Sequence, residues 1–430
     1  MSLTGRVPLL LLLGLPALAV RPAGSTAALW LLAVALVTVV DAWLAPSPAS
    51  LELTRRPVPP VRQGGSTTTE LVVTNTGTRR VRGLLRDAWP PSAGASGNRH
   101  RIDLAGGDRV LLRTPLSPTR RGDRRADRVT VRCRGPLGLA ARQRSRPVPG
   151  SVRVLPPFHS RKHLPSRLAR LRELDGRSAV RVRGQGTEFD SLRDYVRGDD
   201  VRSIDWRATA RSVSTVVRTW QPERHRRVLL VLDTSRTSAG RIDDVPRLDS
   251  AMDAALLLTA LASRAGDVVD FLAGDRQVRA RVRGGARRDA LPHVVEAMAG
   301  LEPVLVEADW SRLTSTAMAL GRQPALVVLL SALEPAAVEQ GLLPALPALT
   351  RRHRVVLASV RDPELARMAA RRGRVEDVYD AAAAEQVLAD RARTAELLSR
   401  LGVEVVDADA DGLPVALTDH YLALKGRGLL

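Results

Sequence analysis

Val228-Leu-Leu-Val-Leu-Asp233-Thr-Ser-Arg-Thr237 is the stretch on which the fold turns. Five apolar residues in succession, closed by a carboxylate, match a strand buried on both faces of a parallel sheet. The polar residues that follow then form the loop at its C-terminal end, where wound sheets bind ligands. Downstream, strand and helix patterns alternate. Helical periodicity covers residues 247–264, 288–299, 310–320, 342–352 and 381–401, and strand patterns cover 268–272, 278–282, 325–330, 355–360 and 403–406. This alternation predicts an α/β fold over residues 227–430, a doubly wound and mostly parallel sheet.

Upstream the pattern changes. Between residues 51 and 156 the chain is strand-like, at 68–74, 109–113 and 128–133, with turns at Asn75-Thr76-Gly77 and Ala105-Gly106-Gly107. No helix-length periodicity interrupts it, which predicts a small β-sandwich of immunoglobulin-like character over 48–156. Before it lie two apolar runs, 3–20 and 27–45, separated by Arg21-Pro-Ala-Gly-Ser-Thr26. At about 1.5 Å rise per residue the second run spans a hydrocarbon core of roughly 30 Å. Residues 1–47 are therefore expected to be a transmembrane helical hairpin, with Asp41 near the end of its run and solvated at the interface. The rival reading is a signal peptide ending at Ala17-Leu18-Ala19, followed by a stop-transfer helix. Arginines 55, 56 and 62 beyond the membrane place the soluble part in the cytosol. The expected location is the cytoplasmic (inner) membrane, multi-pass.

Charge and cysteine content exclude some classes. There are 66 Lys plus Arg against 45 Asp plus Glu, a net charge of +21. The arginines are spread along the chain and only 3% of residues are aromatic, which disfavours a nucleic-acid stacking platform. Cys133 is the single cysteine, so neither an internal disulfide nor a cysteine zinc site is available.

Residues 157–226 hold the densest motif: Gly184-Gln-Gly-Thr-Glu-Phe-Asp-Ser-Leu-Arg-Asp-Tyr-Val-Arg-Gly-Asp-Asp-Val-Arg-Ser-Ile-Asp-Trp-Arg-Ala-Thr-Ala-Arg211. Carboxylates at Glu188, Asp190, Asp194, Asp199, Asp200 and Asp205 alternate with arginines. Two such carboxylates paired as acid and base would make a metal-dependent hydrolase. Paired with the arginines they form a hydrogen-bonded network that fixes an irregular loop, and arginine lowers carboxylate pKa values, which spoils a general acid. Gly184-Gln-Gly186 lacks the Gly-Lys-Ser/Thr ending of a phosphate loop.

This stretch resembles the signature of the domain of unknown function 58 family, at Gly184, Gly186, Glu188, Phe189, Leu192, Arg193, Tyr195, Gly198, Asp199, Asp200, Arg202, Ile204, Asp205, Trp206, Ala208 and Arg211. The closing Asp419-His-Tyr-Leu-Ala-Leu-Lys425 also has a familial look. The loop after the first buried strand is similar to that of von Willebrand factor A domains, where Asp-x-Ser-x-Ser holds Mg²⁺. Asp233, Ser235 and Thr237 take those places and are the candidate ligands. The second loop carries Ala308-Asp309 and the third Ser331-Ala332-Leu333-Glu334, so the site is incomplete. Histidines form no metal or catalytic motif, and no nucleophile elbow or Walker loop is present. The resemblance implies a non-enzymatic assembly factor partnered with a MoxR-class AAA+ ATPase. The alternatives are the hydrolase and a basic, membrane-associated nucleic-acid binder.

Overall fold

A computed structural model describes residues 2–179, 188–197, 199–221, 226–242, 245–284, 290–321 and 323–430. The chain divides into two compact units, Met1–Leu155 and Pro156–Leu430.

The second unit is built on one six-stranded sheet. Its strands are β1 (Arg227–Asp233), β2 (Val268–Gly274), β3 (Val278–Val282), β4 (Leu326–Leu330), β5 (Arg354–Val360) and β6 (Val403–Ala408). Their order is β3-β2-β1-β4-β5-β6. Every pairing is parallel except that of β3, which returns antiparallel along β2. Side chains alternate between faces along a strand. Leu229, Val231, Val327, Leu329, Val355 and Leu357 share a core with Trp310, Leu313, Leu346 and Leu398. Helices Trp310–Met318, Leu346–Thr350 and Val375–Arg400 therefore cover that face. Val228, Leu230 and Leu232 point the other way, toward helix Arg247–Arg264, buried at every residue from Leu248 to Ser263.

The closing helix, Leu413–Gly426, packs on Arg247–Arg264. Its Tyr421 hydroxyl donates to Asp267 Oδ2 (2.5 Å) and Lys425 Nζ donates to Asp267 Oδ1 (2.9 Å), just before β2 begins. Three details differ from the sequence reading. The helix expected at 342–352 is a chain of short turns, Pro335–Ala337, a π-turn Val338–Leu342, a 3₁₀ turn Leu343–Ala345 and Leu346–Thr350. Pro335, Pro344 and Pro347 forbid one regular ladder there. Helices Leu164–Ala179 and Pro363–Ala370 were not expected. Of the helix expected at 288–299, residues 288 and 289 lie outside the described residues, and the helix runs Ala290–Ala299.

In the first unit, strands Leu51–Arg55, Thr67–Asn75 and Arg109–Leu116 form one sheet. Ala140–Arg146, Val129–Arg134, Val81–Asp87 and Arg99–Leu104 form another, with Ser2–Leu3 added at its edge. Leu51, Leu71 and Val73 of the first sheet share a core with Val81, Leu85, Val131 and Cys133 of the second. Arg55 grips buried Asp87 bidentately (2.6 and 2.9 Å) beneath the Trp89 ring.

The N-terminal apolar sequence forms one long helix, Gly24–Leu44 (21 residues), preceded by two short ones, Arg6–Leu12 and Leu15–Val20. Only Gly24–Ser50 is long and apolar enough to cross a membrane among the described residues. The expected pair of spanning helices thus differs in its first member, which breaks at Leu13-Gly14. A Cβ on Gly14 would lie 2.3 Å from the Trp30 ring, so the long helix packs against the chain at this break. Asp41 is fully buried rather than solvated at an interface. It accepts hydrogen bonds from the backbone N–H groups of Leu137 (2.7 Å), Leu139 (2.7 Å) and Ala140 (2.8 Å).

Candidate functional site

Parallel β1 and β4 are in register Leu232 with Leu330, so the residues that follow, Asp233 and Ser331, emerge side by side. The strand order reverses between these two strands, which is where wound sheets open a crevice. Asp233 is almost wholly buried. Its Oδ1 accepts from Ser235 N (2.8 Å), and its Oδ2 accepts from Thr237 Oγ1 (2.9 Å) and Ser331 Oγ (2.6 Å). Ser235 Oγ and Thr237 Oγ1 are 3.1 Å apart. The three sequence-predicted residues are therefore brought together. Ser331 is the fourth member, and its role was missed.

Neighbouring loops brace this one. Thr234 Oγ1 donates to Asp275 (2.9 Å), which Arg279 holds from its other side. Burial raises the Asp233 pKa, and the Ser331, Ser235 and Thr237 donors pull it partly back. A cleft of about 230 Å³ opens beside the carboxylate. Ala308, Trp310, Ala332, Val338 and Leu342 form its apolar part, and Arg236, Glu307 and Gln340 its polar part. Arg236 is ion-paired with Glu307.

As arranged, these donors do not fit Mg²⁺ well. The set carries one negative charge, and Ala308 and Ala332 line the places where further ligands are needed. The acids of the second and third loops, Asp309 and Glu334, are engaged elsewhere. Asp309 caps its helix by accepting from Arg312 N (2.9 Å), and Glu334 pairs with Arg247 (2.7 Å). No group of three or more His, Cys, Asp or Glu side chains converges among the described residues.

The signature segment folds as a separate two-stranded antiparallel ribbon, Glu188–Asp194 with Val216–Gln221. Gly184, Gly186 and Gly198 lie outside the described residues, as do the side chains of Glu188 and Phe189. Arg193 clasps Asp199 with both guanidinium nitrogens (2.6 and 2.8 Å), and Val196 N–H donates to the same carboxylate (2.9 Å). Asp200 caps the turn Val201–Ser203, accepting from Arg202 N (3.0 Å). Asp205 caps Trp206–Thr209 through Arg207 N and Ala208 N (both 3.0 Å) and pairs with Arg218 (2.8 Å). Arg193 beside Asp199, and Ala208 N–H then Arg218 beside Asp205, hold these carboxyls below their ordinary range. Both remain ionised at neutral pH, a poor state for a general acid. Tyr195 donates its backbone N–H to Thr215 O (2.7 Å), while Arg202, Trp206 and Arg211 are exposed.

Fold and site together define an α/β protein with a wound sheet and a hydroxyl-lined cleft at its topological switch point. Residues 191–399 match the family model described as "Protein of unknown function DUF58", which supports membership of the DUF58 family over a little under half of the chain. No curated protein matches. Among solved structures, BatB of Bacteroides thetaiotaomicron, a conserved hypothetical protein, is 12% identical over 46% of this chain and 98% of its own, with a TM-score of 0.26. The PapD-like domain 7 of human CEP192 is 16% identical over 25% of this chain and 87% of its own (TM-score 0.19). A non-cellulosomal cohesin of Archaeoglobus fulgidus is 13% identical over 26% and 97% (TM-score 0.17). Likeness at this level carries no functional argument.

Proposed function

We propose that the chain is a membrane-anchored, non-enzymatic interaction and assembly factor. Its wound domain, von Willebrand factor A-like in this reading, presents the Asp233 cleft to a protein partner. Gly24–Leu44 is the anchor, and the soluble part faces the cytosol. The family resemblance implies a MoxR-class AAA+ ATPase as that partner. The observation that carries the reading is the cleft. At about 230 Å³ it is smaller than the roughly 300–1,000 Å³ of small-molecule sites, and it combines an apolar wall with a charged rim. That suits one protruding side chain of another protein. Asp233 then supplies a braced carboxyl beneath the docked group, without Mg²⁺.

Ala336→Trp fills the cleft from its wall without entering the core. The full chain is expected to co-purify with an AAA+ ATPase of its native organism, and this variant is expected to lose the ATPase at an unchanged melting temperature. If no such ATPase associates with the unaltered chain, the partner assignment is wrong.

A further inference from the structure

The signature ribbon carries a surface that the Asp233 cleft does not use. Asp194 pairs with Val216 and Tyr195 N–H reaches Thr215 O, so residues 196–197 and 199–214 issue from one end of the ribbon. Ile204 folds back to bridge Val217. At this end Val196, Val201 and Trp206 are each more than 60% exposed and Val213 is fully exposed. Two strands alone are marginally stable in water. Leaving four large apolar side chains in solvent on such an element is a cost that a covering partner removes.

Charge identifies the partner. Arg193 and Arg218 are engaged by Asp199 and Asp205, but Arg197, Arg202, Arg207 and Arg211 have no carboxylate partner among the described residues. The tip is therefore cationic: these four arginines stand against Asp200, whose carboxylate only caps a backbone turn. We propose that this tip docks on an anionic phospholipid surface. Guanidinium groups take phosphate bidentately, tryptophan prefers the headgroup level, and basic side chains are drawn to an anionic leaflet. In sequence the apolar residues stand apart from one another among arginines, and none lines the cleft described above. A bilayer accepts projecting side chains without a matching shape, whereas a protein partner needs complementary pockets. Nucleic acid is disfavoured because Trp206 is the tip's one strongly exposed aromatic ring.

The inference rests on the membrane-anchored part of the function above and not on the ATPase. Its test uses the full chain bearing Val213→Cys, labelled with a polarity-sensitive bimane. Cys133 is buried and stays unlabelled under native conditions. The labelled chain is placed in nanodiscs of phosphatidylcholine alone or of a phosphatidylglycerol-rich mixture. Co-elution with the disc reads anchoring and the label reads docking, so either fails separately. A chain that stays outside the discs is mixed with vesicles of the same two compositions and read in the same way. The expected result is a blue shift in anionic bilayers that is absent in neutral ones and reversed by high salt. Each arginine near the surface contributes roughly fivefold, so Arg202→Gln with Arg211→Gln weakens docking about 25-fold. The corresponding double Lys variant retains it. An equal shift in neutral lipid, no shift in anionic lipid, or a shift given only by an oligonucleotide or an acidic protein overturns the proposal.

Discussion

Ser331, the first residue after β4, donates its hydroxyl to the carboxylate of Asp233, the last residue of β1, across 2.6 Å. That bond ties the two strands together where the sheet reverses its order. It also completes a set of three donors on one buried anion.

Ser331→Ala is expected to destabilise the protein by roughly 1–3 kcal/mol, the cost of leaving a buried polar group short of a partner. Burial raises the Asp233 pKa, so the folded state favours its protonated form. Stability from this group is fully present below the unfolded carboxyl's pKa and is lost as pH rises through the raised folded value. Removing a donor to the anion deepens that loss. The Ser331→Ala deficit should therefore grow from mildly acid to neutral pH in chemical denaturation. A pH-independent deficit would show that Asp233 is not the group involved.

Because a single carboxylate stands among neutral hydroxyls with Ala308 and Ala332 beside it, millimolar Mg²⁺ is expected to leave the melting temperature unchanged. An ion present at 100 times its dissociation constant would add about 2.7 kcal/mol. A rise of several degrees that is abolished by Asp233→Ala would establish a metal site here.

Lys425→Met tests the clasp of the closing helix. It leaves Asp267 buried with the Tyr421 hydroxyl and the more distant charge of Arg226, and a buried charge stripped of its ion-pair partner costs about 3 kcal/mol or more. Burial already raises the Asp267 pKa against the pull of Lys425 and Tyr421. Loss of Lys425 raises it further, so protonation relieves the defect. Thermal denaturation should find the variant's deficit largest at neutral pH and smaller as pH falls toward the unfolded carboxyl's range. A deficit that grows on acidification would contradict the clasp.

The central strand is legible in sequence because Val228–Asp233 is buried on both faces, leaving no amphipathic alternative. Asp233, Ser235 and Thr237 were legible because they lie within five residues of one another. Ser331 was not, since its role depends on β4 lying beside β1 in a register that local sequence does not specify. Asp41 shows the same limit: its partners lie about a hundred residues away. The break in the first apolar run was not legible for another reason. Hydropathy sums over Gly14 and Pro16 as though they continued a helix, and in the fold they end one and start the next. The signature acids were legible as an arginine network, but the exposure of Trp206 was not, because exposure follows from what fails to pack against it.

Cys133 is expected to resist thiol reagents in the folded state. It lies in the core of the two facing sheets, and burial pushes its thiol up to about 11, leaving little thiolate at neutral pH. Ellman's reagent should react slowly with native protein and fully after denaturation. Fast native labelling would mean that this core is open.

Asp41→Ala should detach the long helix from the loop it holds. The carboxylate serves three backbone N–H groups of that loop. Gly135 approaches so closely that a Cβ there would lie 2.3 Å from Asp41 Oδ1. Orphaning buried donors costs about 1–3 kcal/mol each, although a loosened loop recovers part of this through water. Hydrogen exchange should therefore accelerate selectively at Leu137, Leu139 and Ala140. The edge pairing of Ser2–Leu3 with Ala140–Ala141 should loosen with them, because it builds on the same loop. The bidentate Arg55–Asp87 pair lies in another part of the unit and should keep its protection. Gly135→Ala is expected to reproduce the effect by steric means while leaving the carboxylate in place. If Asp41→Ala leaves exchange at residues 137–140 unaltered, the carboxylate is not what joins helix to sheet.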